Sequence, residues 1–193
     1  MIAELETYQD QLLSIRQDAE GLMSGLTDEA FNRRPAPNRW SMGECFQHLN
    51  ICAATLFVPG IDAAIASAKT EGLRSNGPFV YPALQRWFLH ISEPPPKVRF
   101  RAPRAVHAPQ TNPLADVRRE FLDWQDRFAE RIGQADGLDL ARARARSPMP
   151  LWKWRLGAYI AIALAHERRH IWQARQVRND PGFHMSVTLK SEG

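Results

Sequence analysis

Apolar residues recur at steps of three and four along four stretches of this chain, the pattern of helices that bury one face. The first stretch runs from about Ile2 to Leu26 and aligns Leu5, Tyr8, Leu12, Ile15, Ala19 and Leu22. The second begins at Ser41 and continues through Leu49 and Leu56 to about Ala68, with a bend expected near Pro59. Its start is written as Ser41-Met42-Gly43-Glu44, a capping box in which the serine hydroxyl and the glutamate satisfy the first free amides reciprocally. The third runs from about Leu114 to Ile132, with Val117, Phe121, Trp124 and Phe128 as its buried stripe. The fourth starts near Leu151 and ends near Arg178, where Asn179-Asp180-Pro181-Gly182 stops it. Its inward stripe reads Trp152, Leu156, Tyr159, Ala163, His166, His170 and Val177.

Between these stretches the helical pattern breaks. Residues Thr27 to Asn38 hold Pro35 and Pro37, which do not fit inside a helix, and Gly133 to Pro150 reads as a connector. Residues 70–113 carry eight prolines around a short helix-like patch from Pro82 to His90. A connection of that length in a compact domain is usually functional or a crossover. No pair of segments alternates well enough to predict strands. The expected fold is therefore all-α: a four-helix bundle with a long central connection, helices two and three roughly parallel, in one domain over 1–193 with a loose tail at 180–193.

Composition narrows the class without naming a function. With 44% hydrophobic and 24% charged residues, the chain is able to build a core and does not read as disordered. Lysine and arginine exceed acidic residues by four, and no basic run is interleaved with aromatics, so nucleic acid is not expected as a partner. Arg142, Arg144 and Arg146 alternate with alanines and read as a solvated connector. The acidic, amphipathic N-terminus is unlike a signal peptide, and no window approaches the ~18 apolar residues of a membrane span. Cys45 and Cys52 lie seven apart on one helix, roughly 10 Å by helical rise, too far for a disulfide within it. Reduced thiols and a cytoplasmic location are the resulting expectations.

The chemistry lies on the fourth stretch. His166 and His170 stand at i and i+4, so both imidazoles share one face and two nitrogens can reach one ion. Such a pair is common by chance, and alone it equally fits two histidines bonded to other helices. His48 shifts that balance: it shares the inward stripe of the second stretch with Cys45, Cys52 and Thr55. Three inward histidines are costly to bury unpaired, and one shared divalent ion satisfies all three. Three imidazoles leave such an ion an open position, which is a catalytic arrangement. Zinc and nickel head the candidates, although imidazole also suits copper and iron.

His166-Glu167-Arg168-Arg169-His170 also matches H-E-x-x-H, the zincin protease motif. A zincin needs an upstream sheet and a third ligand, and only His184 and Glu192 follow in what reads as a tail. A protease is therefore the weaker reading, and Glu167 is expected at a solvated position, or else as a base beside the ion.

Trp40-Ser41-Met42-Gly43-Glu44-Cys45-Phe46-Gln47-His48-Leu49 resembles the W-S-x-x-E-x-x-x-H-L signature of the DinB/YfiT-like metal-dependent enzyme superfamily. His166-Glu167-Arg168-Arg169-His170-Ile171-Trp172-Gln173 is similar to its C-terminal H-x-x-x-H-x-x-Q, and Pro94 to Phe100 resembles its middle connection. The resemblance implies a four-helix bundle with the second and third helices parallel, a metal at His48, His166 and His170, and frequent homodimers. It also implies enzymes such as thiol S-transferases that use low-molecular-weight thiols, and a maleylpyruvate isomerase. The cysteines flanking His48 depart from the pattern.

Other candidates have a functional and a plain reading. Glu44 is explained by the capping box, yet one turn from His48 it could orient that imidazole or move a proton. Arg169, about 60° around the helix from His166, could meet an anionic substrate or form a surface salt bridge. Trp40, Trp87, Trp152, Trp154 and Trp172 read as core and interface residues, while Trp87 and Phe88, on the long connection, could also wall a substrate pocket. His90, His107 and His184 sit in loop-like or tail settings. The expectation is a metal-dependent hydrolase or thiol S-transferase acting on a small molecule, with a non-catalytic metal-binding or stress-response bundle as the alternative.

Overall fold

Four long helices pack side by side in the computed structural model, which describes residues 1–98, 103–146 and 153–183. They are α1 (Ala3–Met23), the continuous helix formed by α3 (Met42–Cys52) and α4 (Val58–Thr70), α6 (Leu114–Gln134), and α7 (Leu156–Arg178). Two shorter helices, α2 (Asp28–Asn32) and α5 (Ala83–Ser92), lie in the connections. Helix α1 packs on α6 and α7, and α3 packs on the same two, so the four close around a shared core. The all-α expectation therefore holds for the architecture. Ion pairs and hydrogen bonds give the directions. Asn50 reaches Glu120 and Arg131 reaches Asp62, so α3–α4 runs parallel to α6. Gln9 bonds the Ala129 carbonyl and Arg16 pairs with Asp126, so α1 runs antiparallel to α6.

Most stripe positions are those the periodicity marks, but Thr55 is exposed in the turn that follows α3, and Trp124 is half-buried while its neighbour Gln125 is buried; the connections add two local differences. Thr27 caps a short α2 ahead of Pro35, accepting from the Ala30 amide through its side chain. The patch at Pro82 is a ten-residue helix that lies on α7. Arg168 holds its C-terminal end through Glu93, and Phe88 packs edge-on against Trp154.

The expected bend near Pro59 takes the form of a π-helical turn over Ala53–Phe57, placed between α3 and α4. Proline has no N–H to return to the Thr55 carbonyl, and its ring crowds that carbonyl. The turn widens instead, and the Val58 amide bonds Ala53 O, five residues back. The Leu56 carbonyl takes its proton from Tyr159 on α7 at 3.1 Å. That approach needs glycine at 60, because a Cβ there would stand 2.8 Å from the Tyr159 ring and hydroxyl. Gly60→Ala is expected to destabilise the protein by about 1–3 kcal/mol, read by chemical denaturation, since a fully buried tyrosine must shift.

Two sequence expectations need correction. A strand pair exists: β1 (Arg144–Arg146) pairs antiparallel with β2 (Lys153–Arg155). Arg-Ala-Arg and Lys-Trp-Arg alternate over three residues each, too briefly to be recognised, yet Ala145 and Trp154 are buried in the core. The arginines of the supposed connector are thus the outward positions of a strand. Helix α7 correspondingly begins at Leu156 and not near Leu151. Leu151, Trp152, Arg99, Phe100 and the tail from His184 through Glu192 lie outside the described residues.

The second correction concerns hydropathy. The 29-residue helix Met42–Thr70 holds an 18-residue window that is long and apolar enough, by length and composition, to cross a membrane. Much of its apolar surface is spent on the core: Met42, Phe46, Leu49, Ile61 and Ile65 are all buried against the other helices.

Candidate metal centre

The capping box forms as written. Ser41 Oγ accepts from the Glu44 amide at 3.1 Å, and Glu44 Oε2 accepts from the Ser41 amide at 2.9 Å. Arg34 also grips Glu44, through Nε to Oε2 at 2.7 Å and through Nη2 to Oε1. Burial pushes the Glu44 carboxyl up, but Arg34 and Ser41 outweigh it and hold the group below its ordinary range. Both oxygens are thus engaged in anchoring the start of α3, which fixes the register that turns His48 inward. Glu44 is placed as an anchor of the helix carrying His48, not at its imidazole.

His48, His166 and His170 converge between α3 and α7. Their ligand nitrogens all lie within 4.8 Å of one another. His48 Nε2 stands 3.2 Å from His166 Nε2, and the three ring centroids are 4.6 to 5.2 Å apart. Two nitrogens bound to one zinc ion at ~2.0–2.1 Å in tetrahedral geometry stand roughly 3.3 Å apart, so the His48–His166 pair is spaced for a shared ion.

The protonation states point the same way. Burial lowers the pKa of all three imidazoles, with His107 adding to the effect at His48. For His166 the value falls to about 3, with His48 and Arg169 contributing. Neutral imidazoles offer lone pairs, as metal ligands must. His48 Nδ1 lies 2.7 Å from the Val106 carbonyl, an acceptor only, so Nδ1 carries the proton and Nε2 presents its lone pair to the cluster. The Nδ1 atoms of His166 and His170 are buried with no hydrogen-bond partner among the described residues. Buried ring nitrogens without a partner are costly in a purely protein core. Three neutral imidazoles are a donor set that fits a divalent cation, which would draw on lone pairs the protein leaves unused.

Several walls of the site come from residues that the sequence marks as packing, signature or loop positions and not as site residues. Trp40 stacks on His170 at 5.8 Å between centroids and tilts over His48 at 5.1 Å. Its position next to the N-cap Ser41 is the signal that reveals it, since the cap sets where the preceding side chain lies. Phe57, carried outward by the π turn, sits 5.3 Å from His166. Val106 and His107 come from the middle of the long connection, where Arg104–Val106 forms a 3₁₀ turn. His107 meets Trp40 edge-on at 6.0 Å, so it belongs to the mouth of the site and not to a remote loop. Cys52 Sγ lies 3.6 and 3.8 Å from the two nitrogens of His48. The near-equal distances place the sulfur over the ring, and burial pushes its thiol up to about 12, so it packs there as a neutral group. Cys45 is buried and its thiol is also pushed up by burial.

The remaining candidates lie beside the cluster or away from it. Arg169 hydrogen-bonds the Val98 carbonyl and ties the connection to α7. Trp87 is 56% exposed on the outer side of α5 and does not line the histidine cluster. Glu167 needs a correction: it is buried, not solvated, and its Oε1 accepts from Gln125 on α6 at 3.0 Å. It leaves α7 about 100° away from His166, so it faces α6 where a zincin would need its base beside the ion.

Convergent imidazoles on two antiparallel helices, roofed by a crossover connection, define a helical protein with a three-histidine cluster that could hold a metal ion. The chain belongs to the DinB superfamily, whose sequence profile matches residues 11–174 and so spans both histidine motifs. No curated protein and no solved structure matches it.

Proposed function

We propose that this protein is a metal-dependent enzyme of the thiol S-transferase or hydrolase type, acting on a small molecule. The observation that carries the reading is the three-histidine cluster, in which His48 has its far nitrogen fixed by Val106 while His166 and His170 keep buried nitrogens unpartnered. His48, His166 and His170 would hold one divalent ion, zinc or nickel, and three protein ligands would leave a position for substrate. Bound there, the ion supplies Lewis acidity, which polarises a substrate or lowers the pKa of a bound water or thiol.

The chain's own residues do the rest. Val106 sets the His48 tautomer, while Arg168 and Arg169 hold the connection over α7 through Glu93 and Val98. Trp40 and Phe57 exclude water from two sides of the rings. The superfamily resemblance adds a low-molecular-weight thiol as co-substrate, a homodimeric assembly and a cytoplasmic setting to this reading. A non-catalytic bundle, in which the ion only ties α3 to α7, is the competing account.

Turnover separates them. The zinc- or nickel-loaded protein is to be assayed against electrophilic and ester substrates, with and without glutathione-type thiols. Thiol-dependent product formation supports transfer, and thiol-independent cleavage supports hydrolysis. Inertness in every assay, together with melting of the fold on chelation, would establish the structural role instead.

A further inference from the structure

The outer face of the β1–β2 ribbon carries a charge pattern that the histidine cluster does not use. Residues directly opposite on an antiparallel pair project to the same side. The register sets Arg144 opposite Arg155 and Arg146 opposite Lys153, while Ala145 and Trp154 fill the buried side between them. The outer face therefore shows two like-charged rungs, separated by two residues, or about 6.8 Å along the strand. Like charges directly opposite destabilise a ribbon. Among the described residues none of these four cations forms a salt bridge, whereas arginines such as Arg16, Arg118 and Arg175 on the helices do.

The neighbouring carboxylates are engaged in other bonds. Asp139 acts on Arg155 electrostatically, yet its Oδ1 accepts from the amides of Ala141 and Arg142. Glu4, near the start of α7, accepts from the hydroxyls of Tyr8 and Tyr81. Arg155 is also the N-cap residue of α7, whose first turn holds no acidic side chain, so the helix end adds positive potential there. Burial and Arg144 both weaken the hold of Arg155 on its proton, and its Nε is buried without a partner among the described residues. Exposed Arg142 lies in the turn two residues ahead of β1, and exposed Arg86 follows Gln85, whose carboxamide bonds Lys153 O and Arg155 N along β2.

We propose that this face binds a multiply charged anion of the phosphate type, with two or more phosphate groups spaced to bridge the rungs. Guanidinium pairs recognise phosphate oxygens in a fork-like fashion, and an anion between the rungs turns two repulsive pairs into attractive contacts. The site is distinct from the metal centre, being built on the strands ahead of α7 and not on the α3–α7 seam.

The test is calorimetric titration of the intact protein with tripolyphosphate at low ionic strength, beside co-sedimentation with phosphatidylglycerol vesicles. Arg146→Gln/Lys153→Gln removes one rung at exposed positions, and Arg144→Gln provides a second variant should the first fold poorly by circular dichroism. Arg118→Gln/Arg119→Gln on α6 is the control. Tripolyphosphate binding that weakens about tenfold or more in the ribbon variants, and not in the control, supports a soluble phosphate ligand. Vesicle binding with the same variant dependence, but no tripolyphosphate binding, assigns the phosphate groups to adjacent lipid headgroups, one at each rung. Binding that is unchanged in the ribbon variants, or native protein that binds neither probe, overturns the proposal.

Discussion

Alanine at His170, or separately at His48, is expected to leave the protein without its ion. Native protein purified without an affinity tag or added metal should carry about one equivalent of a divalent ion by mass spectrometry. Each variant should carry almost none, with affinity for added zinc lowered by more than about 100-fold, beyond the usual effect of losing a residue that only orients a ligand. The two variants test different halves of the site. His170 belongs to the i, i+4 pair on α7, whereas His48 comes from α3 and is held by a carbonyl of the connection. A simple polar core network predicts another result: both variants lose stability, and metal content does not change because there was none. Native protein that stays folded and refuses both zinc and nickel would remove the metal centre from this fold.

Much of that site is legible in the sequence because its parts are local. The i, i+4 spacing of His166 and His170 and the capping box ahead of His48 each lie within one helix, where a 3.6-residue period fixes direction. What was not legible depends on contacts far apart in the chain. Val106 reaches His48 across 58 positions, and its contribution is a backbone carbonyl that any residue type supplies. The burial of Glu167 is not legible, because its charge suggests solvent while its partner Gln125 lies 42 residues away on another helix. The role of Glu44 as an anchor was half visible: Ser41 is three residues off, but Arg34 lies beyond two prolines. The β1–β2 ribbon is not legible because three-residue alternation carries too little pattern, and the alanines between its arginines are equally at home in a linker.

Glu167→Gln is expected to stabilise the metal-free protein at pH 8 by roughly 2 kcal/mol, and to do so less as the pH falls. Burial raises the Glu167 carboxyl to about 7, with Gln125 and Arg168 pulling weakly against it. In the unfolded chain the same group returns to its reference value of 4.5. The folded state thus holds the proton more tightly, so the contribution of Glu167 is fully present below about pH 4.5. It is lost as pH rises through 7, where a charge must sit in the core. Glutamine keeps the oxygen that Gln125 bonds and carries no charge. It also brings an N–H donor to a place where Glu167 Oε2 and Gln125 Oε1 are both buried without partners among the described residues. The three histidines titrate with the opposite sign. Held neutral in the fold, they contribute stability above about pH 6.5 that is lost on acidification. That loss is common to native and variant protein and cancels in their difference. Urea denaturation of both proteins with chelator present, at intervals from pH 4.5 to 8, should therefore give a difference that grows through the window and levels off above about 7. A difference that is flat with pH would mean that Glu167 is ionised throughout, and that its burial is compensated by a charge on the α6 side of the helix.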